Sequence, residues 1–78
     1  MPRYPRHIRY SERYADGVFE YVHVILTRET YETIRNRSDP LIWKEWTQIG
    51  VEIPISWENY MYFKPEPHIL LFRRKLQA

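Results

Sequence analysis

The sequence predicts an α+β domain: a four-stranded, mainly antiparallel sheet with two short helices between its second and third strands. Three observations carry this. Strand-like runs rich in β-branched and aromatic residues come in pairs at the two ends of the chain, residues 7–14 with 19–26 and residues 57–63 with 69–72. Two segments with helical spacing and helix-start chemistry lie together between them, at residues 27–36 and 39–50. Strands segregated from helices in this way indicate α+β rather than alternating βαβ units.

Residues 1–6 hold two prolines and two arginines and no apolar periodicity, so they read as a flexible arm before a single domain at 7–78. In the first strand Ile8, Tyr10 and Tyr14 share one parity, while Arg9, Ser11 and Arg13 share the other. Turn chemistry follows at residues 15–18, with Gly17 free to take positive φ, and residues 19–26 return as the second strand of a hairpin. Pairing Tyr14 with Phe19 sets Ser11 opposite Val22 and Arg9 opposite Val24, which puts Arg9, Arg13 and Val22 on one face.

Thr27 is a natural N-cap with Thr30 in the capping-box position, and Tyr31 and Ile34 share one helical face up to about Asn36. Asp39 and Pro40 are suited to the N-cap and first position of a second helix. Its stripe is Leu41, Ile42, Trp46 and Ile49, and Gly50 ends it. Residues 52–56, with Pro54, form a loop. Pro65 and Pro67 disfavour helix around them, so the segment leading into the last strand is expected to be stiff and extended. Ile69, Leu70, Leu71 and Phe72 are apolar without alternation, which suits a strand in mid-sheet covered on both faces.

A chain of 78 residues buries about 60–65% of its unfolded surface, enough for one modest core. Cysteine is absent, which removes disulfides and thiolate metal sites and fits a reducing compartment. Nothing resembles a signal peptide or approaches the ~20 apolar residues of a membrane span, so an intracellular protein with no membrane partner is expected. A net charge of +2, from 12 basic and 10 acidic residues, is too balanced for a nucleic-acid partner. Its distribution is more telling. Arg3, Arg6, Arg9 and Arg13 lie near one end and Arg73, Arg74 and Lys75 near the other, so a fold that joins the ends gathers a basic patch. No nucleophile–base pair or phosphate-cradling glycine loop is present, which argues against an enzyme. His7, His23 and His68 have no partners at metal-ligand spacing, and no metal or cofactor is expected.

Five segments carry a resemblance: YSERY (10–14), FEYVHVIL (19–26), EW followed by IGV (45–51), SW then YM (56–61) and PEPHILLFRR (65–74). With them the chain resembles the Cks proteins, the small regulatory subunits of cyclin-dependent kinases, over nearly all of residues 8–76. The resemblance implies the fold just described, a non-catalytic role in nucleus and cytoplasm, and two docking surfaces. One is a sheet face with the hinge, which meets the kinase catalytic subunit; here that implies Tyr14, Tyr60, Met61, Tyr62, Phe63, Pro65, Glu66, His68 and Leu71. The other is an anion pocket for phosphorylated partners, represented by Arg13, Trp57 and Arg74.

Two pocket positions depart from the family pattern: Val22 stands where the family has arginine, and Pro54 where it has serine. A charge-assisted hydrogen bond contributes about 1.5–3 kcal/mol, so these losses weaken phosphate binding on the order of a hundredfold. Arg9 and Ser56 are the candidates to compensate. The alternatives are a kinase-binding structural subunit that has lost the pocket, and arginines and a tryptophan that are merely solvated charge and core. The last strand stays within its own chain in some family members and is exchanged between two in others, so both a monomer and a strand-exchanged homodimer are implied. A ubiquitin-ligase role of some members runs through the second helix; Trp43, Lys44 and Gln48 differ there, and that role is not carried over.

Overall fold

The β-branched and aromatic segments Phe19–Ile25 and Ile69–Lys75 lie side by side at the centre of the sheet in the computed structural model, which describes residues 3–76. Numbered in chain order, they are β3 and β5. They pair antiparallel along their whole length, from Phe19 opposite Lys75 to Ile25 opposite Ile69. Outside β5 lies β4 (Glu58–Tyr62), and outside β3 lie two short pieces, β1 (Arg9–Tyr10) and β2 (Tyr14–Ala15). The fold is therefore α+β with an antiparallel sheet, as expected, but with five strands because the first is divided.

An extra residue divides it. Tyr10 pairs with Val24 and Tyr14 with Tyr21, so three residues (11–13) oppose two (22–23). At this bulge the Ser11 hydroxyl accepts from the His23 N–H at 2.8 Å, and the Ser11 N–H donates to the His23 carbonyl at 2.8 Å. The expected register is thereby corrected: Arg9 opposes Ile25 rather than Val24, and Tyr14 opposes Tyr21 rather than Phe19. The turn itself is as read. Gly17 has φ +93°, and the Asp16 carboxylate accepts from the backbone N–H groups of Val18 and Phe19.

Helix α1 (Arg28–Glu32) starts where expected, with the Thr30 N–H donating to Thr27 Oγ1. It stops early. Thr33 and Ile34 bond back three residues, to Thr30 and Tyr31, and this tightens the chain out of the α-helix. Helix α2 (Trp43–Gln48) begins later than Asp39 and Pro40 suggest. The preceding stretch is held out of the helix: the Tyr62 hydroxyl donates to the Asp39 carbonyl, Arg37 donates to the Pro40 carbonyl, and the Leu41 N–H donates to Asn59 Oδ1. Glu45 then reaches back to accept from the Ile42 N–H, which makes Ile42 the N-cap; it is 61% exposed instead of facing the core. Gly50, at φ +95°, closes the helix in a Schellman motif, with its N–H on the Thr47 carbonyl and the Val51 N–H on that of Trp46.

Both helices and the loop after α2 cover one face. Ile34, Leu41, Trp46, Val51, Ile53 and Trp57 pack there on Val22, Val24, Leu26, Leu70 and Phe72, with the Trp46 ring edge-on to Phe72 at 5.0 Å. Among the described residues the opposite face has no second layer, which corrects the expectation that β5 is covered on both sides. Leu71 points to that open face and is buried at 8% exposure between its cross-strand neighbours His23 and Met61. The proline segment is not extended either. It folds as two consecutive turns, with the Glu66 N–H on the Phe63 carbonyl and the Ile69 N–H on the Glu66 carbonyl. Pro67 holds the second turn position, where its fixed φ is favourable. In this arrangement β5 pairs within its own chain.

Asn59 joins the two layers. It is 4% exposed, its Oδ1 accepts from Leu41 N–H at 2.8 Å, and its Nδ2 donates to the carbonyls of Met61 and Leu71 at 3.1 Å each. Those bonds fill a second bulge, where Asn59 and Met61 oppose adjacent residues of β5 and Tyr60 is extra. Replacing Asn59 by Ala leaves a buried N–H and two carbonyls short of a partner. We expect Asn59→Ala to lower the urea-unfolding free energy by about 2–4 kcal/mol. A loss below about 0.5 kcal/mol would show that the amide does not tie the layers together.

Candidate functional site

Two regions gather the residues singled out by the sequence. The first is the open sheet face. Strand alternation sends Phe19, Tyr21, His23 and Ile25 there from β3, with Ile69, Leu71 and Arg73 opposite them on β5. The β4 bulge brings Met61 beside Leu71 and sets the Tyr60 ring 6.2 Å from Tyr21. Tyr14 stacks on Tyr21 at 5.1 Å, and its hydroxyl is hydrogen-bonded to His23 Nε2 at 2.9 Å. The Arg73 guanidinium lies over the Tyr60 and Phe19 rings at 4.7 and 4.6 Å and donates to Glu58 Oε1 at 2.6 Å. That hydrogen bond raises its already high pKa. Tyr14 and Met61 are exposed, so the aromatic surface is open to solvent.

Of the expected kinase-facing residues, this face unites Tyr14, Tyr60, Met61 and Leu71. Tyr62 turns to the covered face, opposite Leu70, and bonds Asp39. Desolvation is the main cause that raises its phenol pKa. Phe63, Pro65 and Glu66 form the turns at one end of the sheet, with Phe63 and Pro65 exposed and Glu66 half-buried. His68 is 2% exposed, beneath the Tyr4 ring at 4.8 Å, and its carbonyl accepts from the Leu26 N–H. Tyr4 belongs to the segment read as an arm, of which residues 1–2 lie outside the described residues; Arg28 sits over its ring at 5.6 Å. Phe19, Tyr21, His23 and Ile25 were missed as face residues. Their signal was present in the sequence, as the parity opposite Val22 and Val24.

The second region lies at the other end of the sheet, around Trp57. The guanidinium of Arg74 is 4.7 Å and that of Arg13 5.5 Å from the centre of its ring. Glu20, opposite Arg74 on β3, accepts from Arg74 Nε at 2.7 Å, and its other oxygen is 3.9 Å from Arg13. Trp57 is largely buried, yet its indole N–H has no acceptor among the described residues and is not sealed from solvent. The expected trio of Arg13, Trp57 and Arg74 is thus assembled. Ser56 is exposed and shares a cleft with Glu20 and Arg74. Arg9 is not brought in, because the first bulge turns it to the open face. Tyr10 comes instead, its hydroxyl accepting from the Glu52 N–H at 2.8 Å. Val22 lines a cleft of about 340 Å3 with Tyr10, Ser11, Arg13, Glu52 and Trp57. Glu20 was missed, since its part depends on cross-strand pairing. Among the described residues no three His, Cys, Asp or Glu side chains gather as metal ligands do.

Residues 8–76 match the profile of the CKS family, described as cyclin-dependent kinase regulatory subunit. Relatives agree over most of their length. The cyclin-dependent kinases regulatory subunit 2 of Xenopus laevis is 42% identical over 71 residues, covering 91% of this chain and 89% of that protein. The cyclin-dependent kinases regulatory subunit of Drosophila melanogaster is 46% identical over 67 residues, covering 86% and 89%. Subunit 2 of Arabidopsis thaliana is 46% identical over 70 residues, covering 88% and 82%. The chain belongs to the CKS family of cyclin-dependent kinase regulatory subunits.

Asp16 supports the open face from the turn. Its carboxylate is held down to about 2, chiefly by the Phe19 N–H, then by the Tyr21 hydroxyl and the Val18 N–H. The Tyr21 phenol, donating to Asp16 Oδ2 at 2.7 Å, is pushed up to about 12, first by that bond and then by desolvation. A lowered folded-state carboxylate pKa contributes stability above its unfolded value, and the contribution disappears as pH falls through the folded one. The melting temperature of Asp16→Ala should therefore lie below wild type at pH 6, and the gap should narrow between pH 3.8 and about 2. A gap constant from pH 6 to 2 in thermal melts would rule out a contribution from the charged carboxylate.

Proposed function

We propose that this protein is a non-catalytic subunit that binds a cyclin-dependent kinase catalytic subunit through its open sheet face and hinge turns, in nucleus and cytoplasm. The observation that carries this reading is the face itself: a continuous aromatic and aliphatic surface, fixed by two bulges and left without a covering layer, in a chain of this family. Such a surface costs solubility unless a partner covers it. Relatives named as regulatory subunits support the non-catalytic part.

The cluster of Arg13, Trp57 and Arg74 gives this subunit a second, weaker docking point for an anionic, phosphorylated partner. A kinase-binding subunit whose phosphate pocket is lost is the other reading. It is favoured by the Glu20 carboxylate, which already engages Arg74 and approaches Arg13, and by Val22, which donates nothing.

The two docking points separate experimentally. Met61→Asp, at a 40% exposed position, should leave the melting temperature nearly unchanged. It should weaken capture of a cyclin-dependent kinase about thirtyfold or more, the ~2 kcal/mol of an unpaired charge in an apolar contact. Undiminished capture would move the kinase contact off this face. Arg74→Ala should keep kinase capture and abolish binding of a phosphothreonine peptide. Equal, negligible peptide binding by wild type and Arg74→Ala would leave the kinase-binding subunit alone.

A further inference from the structure

The cleft beside Trp57 differs from a phosphate site in three respects, all traceable to this chain's own residues. The first is charge. Three cations, Arg13, Arg74 and Lys75, line the two adjoining clefts with two carboxylates, Glu20 and Glu52, so the charges sum to 3 − 2 = +1. A phosphomonoester carries about −1.5 to −2 at neutral pH and overfills that charge, whereas a carboxylate balances it.

The second is donor geometry. Glu20 occupies the Nε edge of Arg74, and Val22, 4% exposed, places no donor on the β3 side. The remaining edges of Arg13 and Arg74 suit a flat, two-oxygen acceptor better than a tetrahedral one that needs donors from three directions. The third is the wall. On the Arg13 side of the cluster Val22, Ile53 and Trp57 line a cleft of about 340 Å3 that accommodates an aliphatic stem, while Arg74 and Glu20 line the neighbouring cleft with Ser56 and Lys75.

Resting on the anion-docking part of the reading above, we propose that this cleft takes the carboxylate side chain of a glutamate in an acidic peptide segment of a protein partner. Recognition is then independent of phosphorylation: the methylenes lie along Val22 and Ile53 in the cleft on the Arg13 side, and the carboxylate reaches the Trp57 ring that Arg13 and Arg74 both adjoin.

The test uses the whole chain and three end-capped peptides, otherwise identical and uncharged, with Glu, phosphothreonine or Thr at one position. Isothermal titration should show the Glu peptide binding at least as tightly as the phosphothreonine peptide, and the Thr peptide about tenfold more weakly, one charge-assisted bond's worth. Glu20→Gln raises the cluster to +2 and should shift preference towards phosphothreonine by about tenfold, without relying on a change at buried Val22. Arg74→Ala should remove the distinction between the Glu and Thr peptides. A wild-type preference for phosphothreonine over Glu of about tenfold or more overturns the carboxylate assignment and leaves the anion-docking point in place. Equal binding of all three peptides, unaffected by Arg74→Ala, ends both.

Discussion

Only one face of the sheet is covered, so each residue inserted into a strand transfers every side chain beyond it to the opposite environment. Much of this molecule depends on two such insertions. Between Tyr10 and Tyr14 the extra residue sends Tyr10 and Arg13 to the side of Trp57, and Arg9 and Tyr14 to the open face. Between Asn59 and Met61 the extra Tyr60 lets Asn59 point inward and Met61 outward. Each insertion is held by a side chain acting in place of backbone, the Ser11 hydroxyl in one and the Asn59 amide in the other. Without them Tyr10 and Tyr14 would share one face, and so would Asn59 and Met61.

The parts of the fold that were legible in the sequence are those settled by local chemistry. Gly17 and Gly50 take the positive φ their turns require, and Thr27 caps α1 as read. What was not legible depends on partners far along the chain. Asp39 and Pro40 are good helix starters, yet Tyr62, Arg37 and Asn59 hold that stretch out of the helix and move its N-cap to Ile42. The two prolines excluded helix correctly, but a cross-strand bond from the Phe63 N–H to the Ile69 carbonyl folds them into turns. The site followed the same division. Arg13, Trp57 and Arg74 were found through the resemblance; the exclusion of Arg9 and the arrival of Tyr10 and Glu20 required the register.

Strand β5 links the core to the open sheet face and to the Trp57 cluster. Leu70 and Phe72, both fully buried, anchor the covered face, while Leu71 and Arg73 build the open one. Arg74, one residue on, reaches the Trp57 cluster. Alternation alone separates these roles, so substitutions at adjacent positions of one strand act on different surfaces. The Trp57 cluster is also the less costly of the two regions to alter, since its arginines are half-exposed or exposed and their pairing with Glu20 is partly screened by solvent.

The positions of the two insertions carry a further consequence. One lies in the β1–β2 segment and the other in β4, which are the two outer edges of the sheet. An unbroken edge strand is a template for another chain to extend the sheet by hydrogen bonding, a route to uncontrolled association. Here both margins are interrupted, and neither offers an even row of backbone donors and acceptors. A protein this small can then keep a broad aromatic face exposed while its edges resist polymerisation through the backbone.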